Sequence, residues 1–323
     1  MKYQRKSNFI TMIAGLVAQK HALGYLYSEG ERILNEIDLF CYEYFPHETT
    51  LTKEIGLRWA ERRQTEDISS QRKRISVIRG LAKYINSLGE NAYVIPVEIT
   101  SRKRPPRYVP HIYAKDELSA FFYEVDHLHY CSYSPGRHLV FPVLFRLLYC
   151  CGLRPIEART LLSKNVDLEN GVIRIIESKG HNDRNVVLAH DVLALCRKYR
   201  TLISEIYPDC EYFFPNQNAT SYYTKSALII TFCHSCQKAG LSNFSGNPPR
   251  IYDFRHSFAT HCLYRWMREG KDLNAYLPYL SAYLGHVQLS DTAYYIHLVP
   301  EFFPQMGQMN ITKFETLLPE VEK

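Results

Sequence analysis

Hydrophobic positions in the first hundred residues recur at helical spacing. Ile75, Ile78, Leu81, Ile85 and Leu88 form one stripe, with Ser69 or Ser70 placed to cap its start and Gly89 to end it. The segments around Phe9–Leu23 and Tyr27–Tyr44, and a stretch holding Arg58, Arg62 and Arg63, carry further helical patterns. A helical domain of about four helices is predicted over residues 1–100. At 101–112 the pattern stops, because Pro105, Pro106 and Pro110 resist both helix and sheet. The second region, 113–323, opens with helical runs at Lys115–Val125 and Arg137–Cys151, the latter apolar enough to be buried. Gly152 breaks the chain, and Pro155 suits the first turn of a helix reaching Leu162. After a turn at Asp167–Gly171, the β-rich runs Val172–Glu177 and Asn185–Leu188 are joined by a hairpin-type loop, and helical patterns resume from His190. The expected class is mainly α with a small antiparallel β-sheet (α+β), in two domains joined by a linker.

Length and charge agree with that division. A chain of 323 residues exceeds one typical domain. The net charge of +6 is unevenly placed: residues 1–110 hold 18 basic and 12 acidic side chains, and the remainder is balanced. Arg72, Lys73, Arg74, Arg79 and Lys83 are expected opposite the apolar stripe, and the linker adds Arg102, Lys103, Arg104 and Arg107. Such basic groups suit a phosphate backbone or simply a solvated surface, and composition leaves both open. The nine cysteines show no disulfide framework, no secretory leader is evident and no apolar run reaches the roughly 18 residues of a membrane span. A cytoplasmic protein with free thiols and no membrane contact is expected. Cys233 and Cys236 make a single C-x-x-C without a second pair, so no metal site is expected.

The candidate chemistry lies in the second region. Arg154 follows a glycine turn at a helix start. Arg255 sits near the start of the helical stretch Tyr252–His261, where a helix N-terminus and a guanidinium together favour an anion. Leu284-Gly285-His286 is followed by Asp291-Thr-Ala-Tyr-Tyr295. Each piece alone has an ordinary structural explanation: Gly285 a helix cap, His286 a satisfied ring, Tyr295 one of 25 tyrosines.

Together they resemble the tyrosine recombinases, which include phage integrases and Xer-type resolvases. Cys151-Gly-Leu-Arg154-Pro-Ile-Glu157 looks like the first box of that family, Tyr252-Asp-Phe-Arg255-His-Ser-Phe-Ala-Thr-His261 the second and Leu284-Gly-His286 the third. Tyr295 falls where the family places its nucleophile, and Ser178-Lys179-Gly180 resembles its β-hairpin lysine. Phe213-Phe214-Pro215 is similar to a connecting motif. The resemblance covers roughly 111–300, with residues 1–100 similar, by pattern and length, to a core-binding domain.

The resemblance implies a reaction. Arg154 and Arg255 would clamp a scissile phosphate of double-stranded DNA, and His286 would donate to a phosphate oxygen. Tyr295 would attack to form a 3′-phosphotyrosine, and Lys179 would protonate the leaving oxygen. Transesterification needs neither metal, ATP nor any other cofactor. The family acts as a tetramer on two DNA sites, so a homo-tetramer is expected, open to related recombinases or accessory proteins. The apolar tail with Phe302, Phe303, Phe314, Leu317 and Leu318 would dock on a neighbour or pack on its own domain.

One position departs from the family pattern. Tyr252 stands where the second box usually has a histidine, which assists proton transfer from the nucleophile and which Glu157 would support. Either Tyr252 has a structural role or the site is less active. His256 is not an obvious substitute, because one residue along a helix turns it about 100° from Arg255. Tyr294 is a close alternative to Tyr295. The leading reading is the integrase of a mobile element. A catalytically weak, DNA-binding accessory subunit is the second, and a relaxing topoisomerase a distant third.

Overall fold

The computed structural model describes residues 4–99, 108–176, 183–241 and 248–298. It divides into two units, Met1–Tyr108 and Val109–Lys323. Four helices build the first: α1 (Ile10–Ala22), α2 (Ser28–Tyr44), α3 (Lys53–Ala60) and α4 (Ile68–Ser87). The helix α4 touches each of the other three. It buries Ile75, Ile78, Leu81 and Ile85 against Ile13, Leu34, Ile55 and Trp59. Its cap lies earlier than the sequence suggests: the Asp67 carboxylate accepts the Ser70 backbone N–H at 2.9 Å. Arg62 and Arg63 lie just beyond the end of α3.

One basic residue of α4 belongs to the interior. Arg74 was expected among the DNA-facing cations, yet it is 4% exposed. Its guanidinium pairs with Glu66 at 2.8 Å, donates to the carbonyls of Trp59 and Glu61, and lies over the Trp59 ring. Position 74 precedes Ile78 by four residues, so it shares the buried face. Arg79 is half-buried and donates to the carbonyls of Ile95 and Pro96. Lys73 is exposed and pairs with Glu29, and Arg72 is half-buried. Arg102, Lys103, Arg104 and Arg107 lie outside the described residues.

The second unit contains α5 (Lys115–Asp126), α6 (Arg137–Cys150), α7 (Pro155–Arg159), β1 (Val166–Asp167), β2 (Val172–Ile175), β3 (Arg184–Val187), α8 (His190–Ile206), α9 (Lys225–Lys238), α10 (Asp253–Arg268), α11 (Leu273–Leu284) and α12 (Leu289–Ala293). A 3₁₀ turn, Tyr294–Leu298, follows. The sheet is antiparallel in the order β1-β2-β3, with Ile173 opposite both Val166 and Val186. The expected class, mainly helical with one small antiparallel sheet, is the one observed.

Two departures are local. The strand β1 is too short to leave a pattern, and α7 stops at Arg159 rather than reaching Leu162. There the chain pairs instead with 211–213: Phe213 N–H donates to Leu161 O and Ser163 N–H to Glu211 O, both at 2.8 Å. The apolar α6 runs through the centre of the unit, burying Phe141, Leu144, Phe145 and Leu148 against α5, α8 and α10. A smaller core joins Ala259 and Leu263 of α10 to Leu277, Leu280 and Leu284 of α11, and Tyr295 packs into it. All nine cysteines are free thiols. Among the described residues no cluster is arranged to hold a metal, and no helix is long and apolar enough to cross a membrane.

Candidate active site

Two glycine turns position the arginines. Gly152 ends the α6 segment with φ +58° and Gly285 caps α11 with φ +68°, both in the left-handed region that favours glycine. A Cβ at Gly152 would approach Phe258 to 2.6 Å, so the turn also needs the space. The carbonyls around these turns face inward. Arg255 donates to Gly152 O and Leu284 O, each at 2.6 Å, and Arg154 donates to Gly285 O at 2.9 Å. Arg255 is only 2% exposed, and burial together with the nearby Arg154 charge lowers its pKa to about 10. It remains cationic at neutral pH.

Glu157 is the anion among three guanidiniums. Its carboxylate accepts from the Arg154 backbone N–H and side chain, and from both terminal nitrogens of Arg184 at 3.0 and 2.8 Å. Burial alone would raise its pKa, but hydrogen bonds and charge from Arg184 and Arg154 prevail, and the pKa is lowered. The sequence reading did not single out Arg184. It stands at the start of β3, is almost fully buried, and also donates to Tyr283 O at 2.8 Å. Arg184 therefore ties the sheet to both α7 and α11.

His286, just past the Gly285 cap, contacts Arg255 on one side and Thr292 on the other. Arginine can only donate, so Nε2 of His286 accepts from Arg255 at 3.0 Å. In the neutral ring Nδ1 then carries the proton and donates to Thr292 Oγ1 at 2.6 Å. Burial, followed by the charges of Arg255, Arg154 and Arg184, pushes the His286 pKa down to about 4.

Tyr295 is 4% exposed, and its ring stacks on that of His286 with centroids 6.0 Å apart. Burial raises the phenol pKa while Arg255 opposes the rise, so the group is protonated at neutral pH. Tyr294 is less buried and lies beside it, with ring centroids 5.9 Å apart. Thus Arg154 and Glu157, Arg255, and His286 with Tyr295, from three separated stretches of the chain, converge in one cluster. Tyr252 sits at the rim of this cluster, 45% exposed, as the residue preceding α10. Lys179 lies outside the described residues.

Comparisons with known proteins bear on the chain as a whole. The phage integrase family model matches residues 123–301. A Sinorhizobium fredii (strain NBRC 101917 / NGR234) protein described as an integrase/recombinase, y4rB, is 29% identical over 306 residues, covering 93% of this chain and 96% of that protein. Tyrosine recombinase XerD of Rhizobium meliloti (strain 1021) is 25% identical over 234 residues, covering 72% of this chain and 71% of its own. Among solved structures, XerH site-specific recombinase bound to palindromic difH substrate is similar with a TM-score of 0.61 at 19% identity, covering 88% of this chain and 78% of that one. The Tn1549 transposon integrase in complex with circular intermediate DNA is similar with a TM-score of 0.58 at 15% identity, covering 88% and 94%. At these identities the two structures speak for the fold. The family match spans more than half of the chain, and the chain belongs to the phage integrase family, the tyrosine recombinases.

Proposed function

We propose that this chain is a site-specific DNA recombinase, the integrase of a mobile element, which cleaves and rejoins double-stranded DNA through a 3′-phosphotyrosyl intermediate at Tyr295. The observation that carries the reading is the convergence of Arg154, Arg255 and His286 on the Tyr295 phenol. A phosphodiester repels an anionic nucleophile until its charge is neutralised. Two fixed guanidiniums supply that field in a buried site, where it acts most strongly. The same field favours the phenolate of Tyr295 as it forms. Lys179, on the β2–β3 connection, is the proposed acid for the 5′ leaving oxygen.

For His286 to donate to the phosphate, its proton must move from Nδ1 to Nε2. The Thr292 hydroxyl can serve both forms, accepting from Nδ1–H in one and donating to Nδ1 in the other. A phosphate oxygen would then take the Arg255 N–H that Nε2 now accepts. We assign the outer cations Arg72 and Lys73, with the linker cations, to the DNA backbone, and the active assembly to a homo-tetramer on two sites in the cytoplasm.

The second reading, a catalytically weak accessory subunit, rests on Tyr252 in place of the box histidine. A library of nicked duplexes with a randomised core separates the two. Covalent protein–DNA adduct from the wild type, lost in Tyr295→Phe and kept in Tyr294→Phe, supports the recombinase. The accessory reading gains if DNA is bound but no adduct forms.

A further inference from the structure

Tyr252 and His256 are four residues apart at the start of α10, so their side chains stack on one helix face. Their rings lie 6.3 Å apart, and the His256 ring lies 5.5 Å from that of Tyr295. The angle measured from Arg255 misleads here. Relative to Tyr252, His256 continues the same face one turn further along α10. The nucleophile is thus flanked by two imidazoles. His286 is engaged through both nitrogens, by Arg255 and Thr292. His256 differs: its Nδ1 is buried and has no hydrogen-bond partner among the described residues. A buried polar atom left in this way is costly, and one beside a nucleophile calls for an explanation.

We propose that His256 accepts the phenolic proton of Tyr295 during strand cleavage, in place of the histidine that Tyr252 replaces. This assignment rests on the recombinase reading above. The ring has a lone pair to offer, because burial and the Arg255 charge hold it neutral against the pull of Asp253. In the step, the Tyr295 Oη–P bond forms, the P–O5′ bond breaks, and the phenolic proton passes to His256 directly or through one water. The 5′ oxygen takes its proton from the general acid, assigned above to Lys179. On rejoining, the 5′-hydroxyl gives its proton back to the neutral Lys179 amine as the P–O5′ bond re-forms, the Tyr295 Oη–P bond breaks, and His256 returns its proton to the departing phenolate. Tyr252, a phenol at the rim, holds the approach to His256 rather than the proton.

The test is the single-turnover rate of adduct formation on the nicked duplex library, with His256→Gln, His256→Ala, Tyr252→Phe and Tyr295→Phe compared. Glutamine keeps the volume and polarity of the ring without taking a proton. Both His256 variants are expected to lose about 100-fold or more in rate, with DNA affinity and circular dichroism unchanged. Free imidazole should restore His256→Ala as its concentration rises, and Tyr252→Phe should cost less than His256→Gln. The proposal is overturned by a wild-type rate in His256→Gln, by a loss in His256→Ala that imidazole leaves in place, or by a Tyr252→Phe loss as large as that of the His256 variants. If the wild type forms no adduct, or Tyr295→Phe still forms one, it is the recombinase reading that fails.

Discussion

Acidification should weaken the fold through His286, and the size of the effect follows from its surroundings. In the unfolded chain this imidazole binds a proton at its ordinary value of 6.5, and in the folded chain only at about 4. Between those values the unfolded state holds more protons, so stability is lost as pH falls from about 6.5 towards 4. At pH 5 the two values correspond to about 2 kcal/mol. The ring is only half-buried, and solvent screening reduces this to about 1 kcal/mol. His286→Gln keeps an acceptor for Arg255 and a donor for Thr292 but cannot titrate. The assay is urea unfolding at about pH 7 and about pH 5, followed by Trp266 fluorescence in a Trp59→Phe background. The chain has two tryptophans, one in each unit, so the signal then reports the second unit alone. The wild type should lose about 1 kcal/mol more than His286→Gln over this interval. Contributions from His256 and His261, whose pKa values are also lowered, are shared and cancel in the difference. Glu157 acts in a lower window, since its stabilisation is present above the ordinary value of 4.5 and is lost only below it. Equal losses in the two proteins would refute the reasoning.

Two further outcomes are expected. Arg184→Met removes one partner of a buried ion pair and strands Glu157 and the Tyr283 carbonyl, so the Trp266 transition should lose about 3 kcal/mol. A loss below about 1 kcal/mol would mean that Arg154 alone satisfies the carboxylate. In the first unit, charge reversal at Arg72 and Lys73 should weaken DNA binding and flatten its dependence on salt. Arg74→Ala should instead lower stability with little change in that salt slope. The reverse pattern in a salt titration would reassign these side chains.

Legibility in the sequence followed locality. Arg154, Arg255, His286 and Tyr295 were singled out because their motifs, in order and at their spacings, resemble the boxes of one family, although each alone had an ordinary structural explanation. Arg184 left no such mark. Its partners, Glu157 and Tyr283, are far away in sequence, and an arginine opening a β-rich run reads as surface. The signal available was the pairing of an acidic residue in the first box with a basic one beside the hairpin. Arg74 was misplaced by grouping it with its charged neighbours, although its spacing to Ile78 put it on the apolar face. His256 was set aside because one residue along α10 turns it about 100° from Arg255, and its place beside the Tyr295 ring depends on a tertiary contact between α10 and the turn at Tyr294–Leu298. The early stop of α7 depended on pairing with 211–213, a tertiary contact that no window around Leu162 contains.

The carbonyl cradle around Arg255 has a consequence for how the site spends conformational entropy. A free arginine side chain carries about 2 kcal/mol of rotamer freedom. Here that freedom is surrendered when Gly152 O and Leu284 O fix the guanidinium as the chain folds. On the recombinase reading proposed above, an arriving phosphate would meet a guanidinium already frozen in place. The cost falls on the folding equilibrium, once per molecule, and is absent from every reaction that follows.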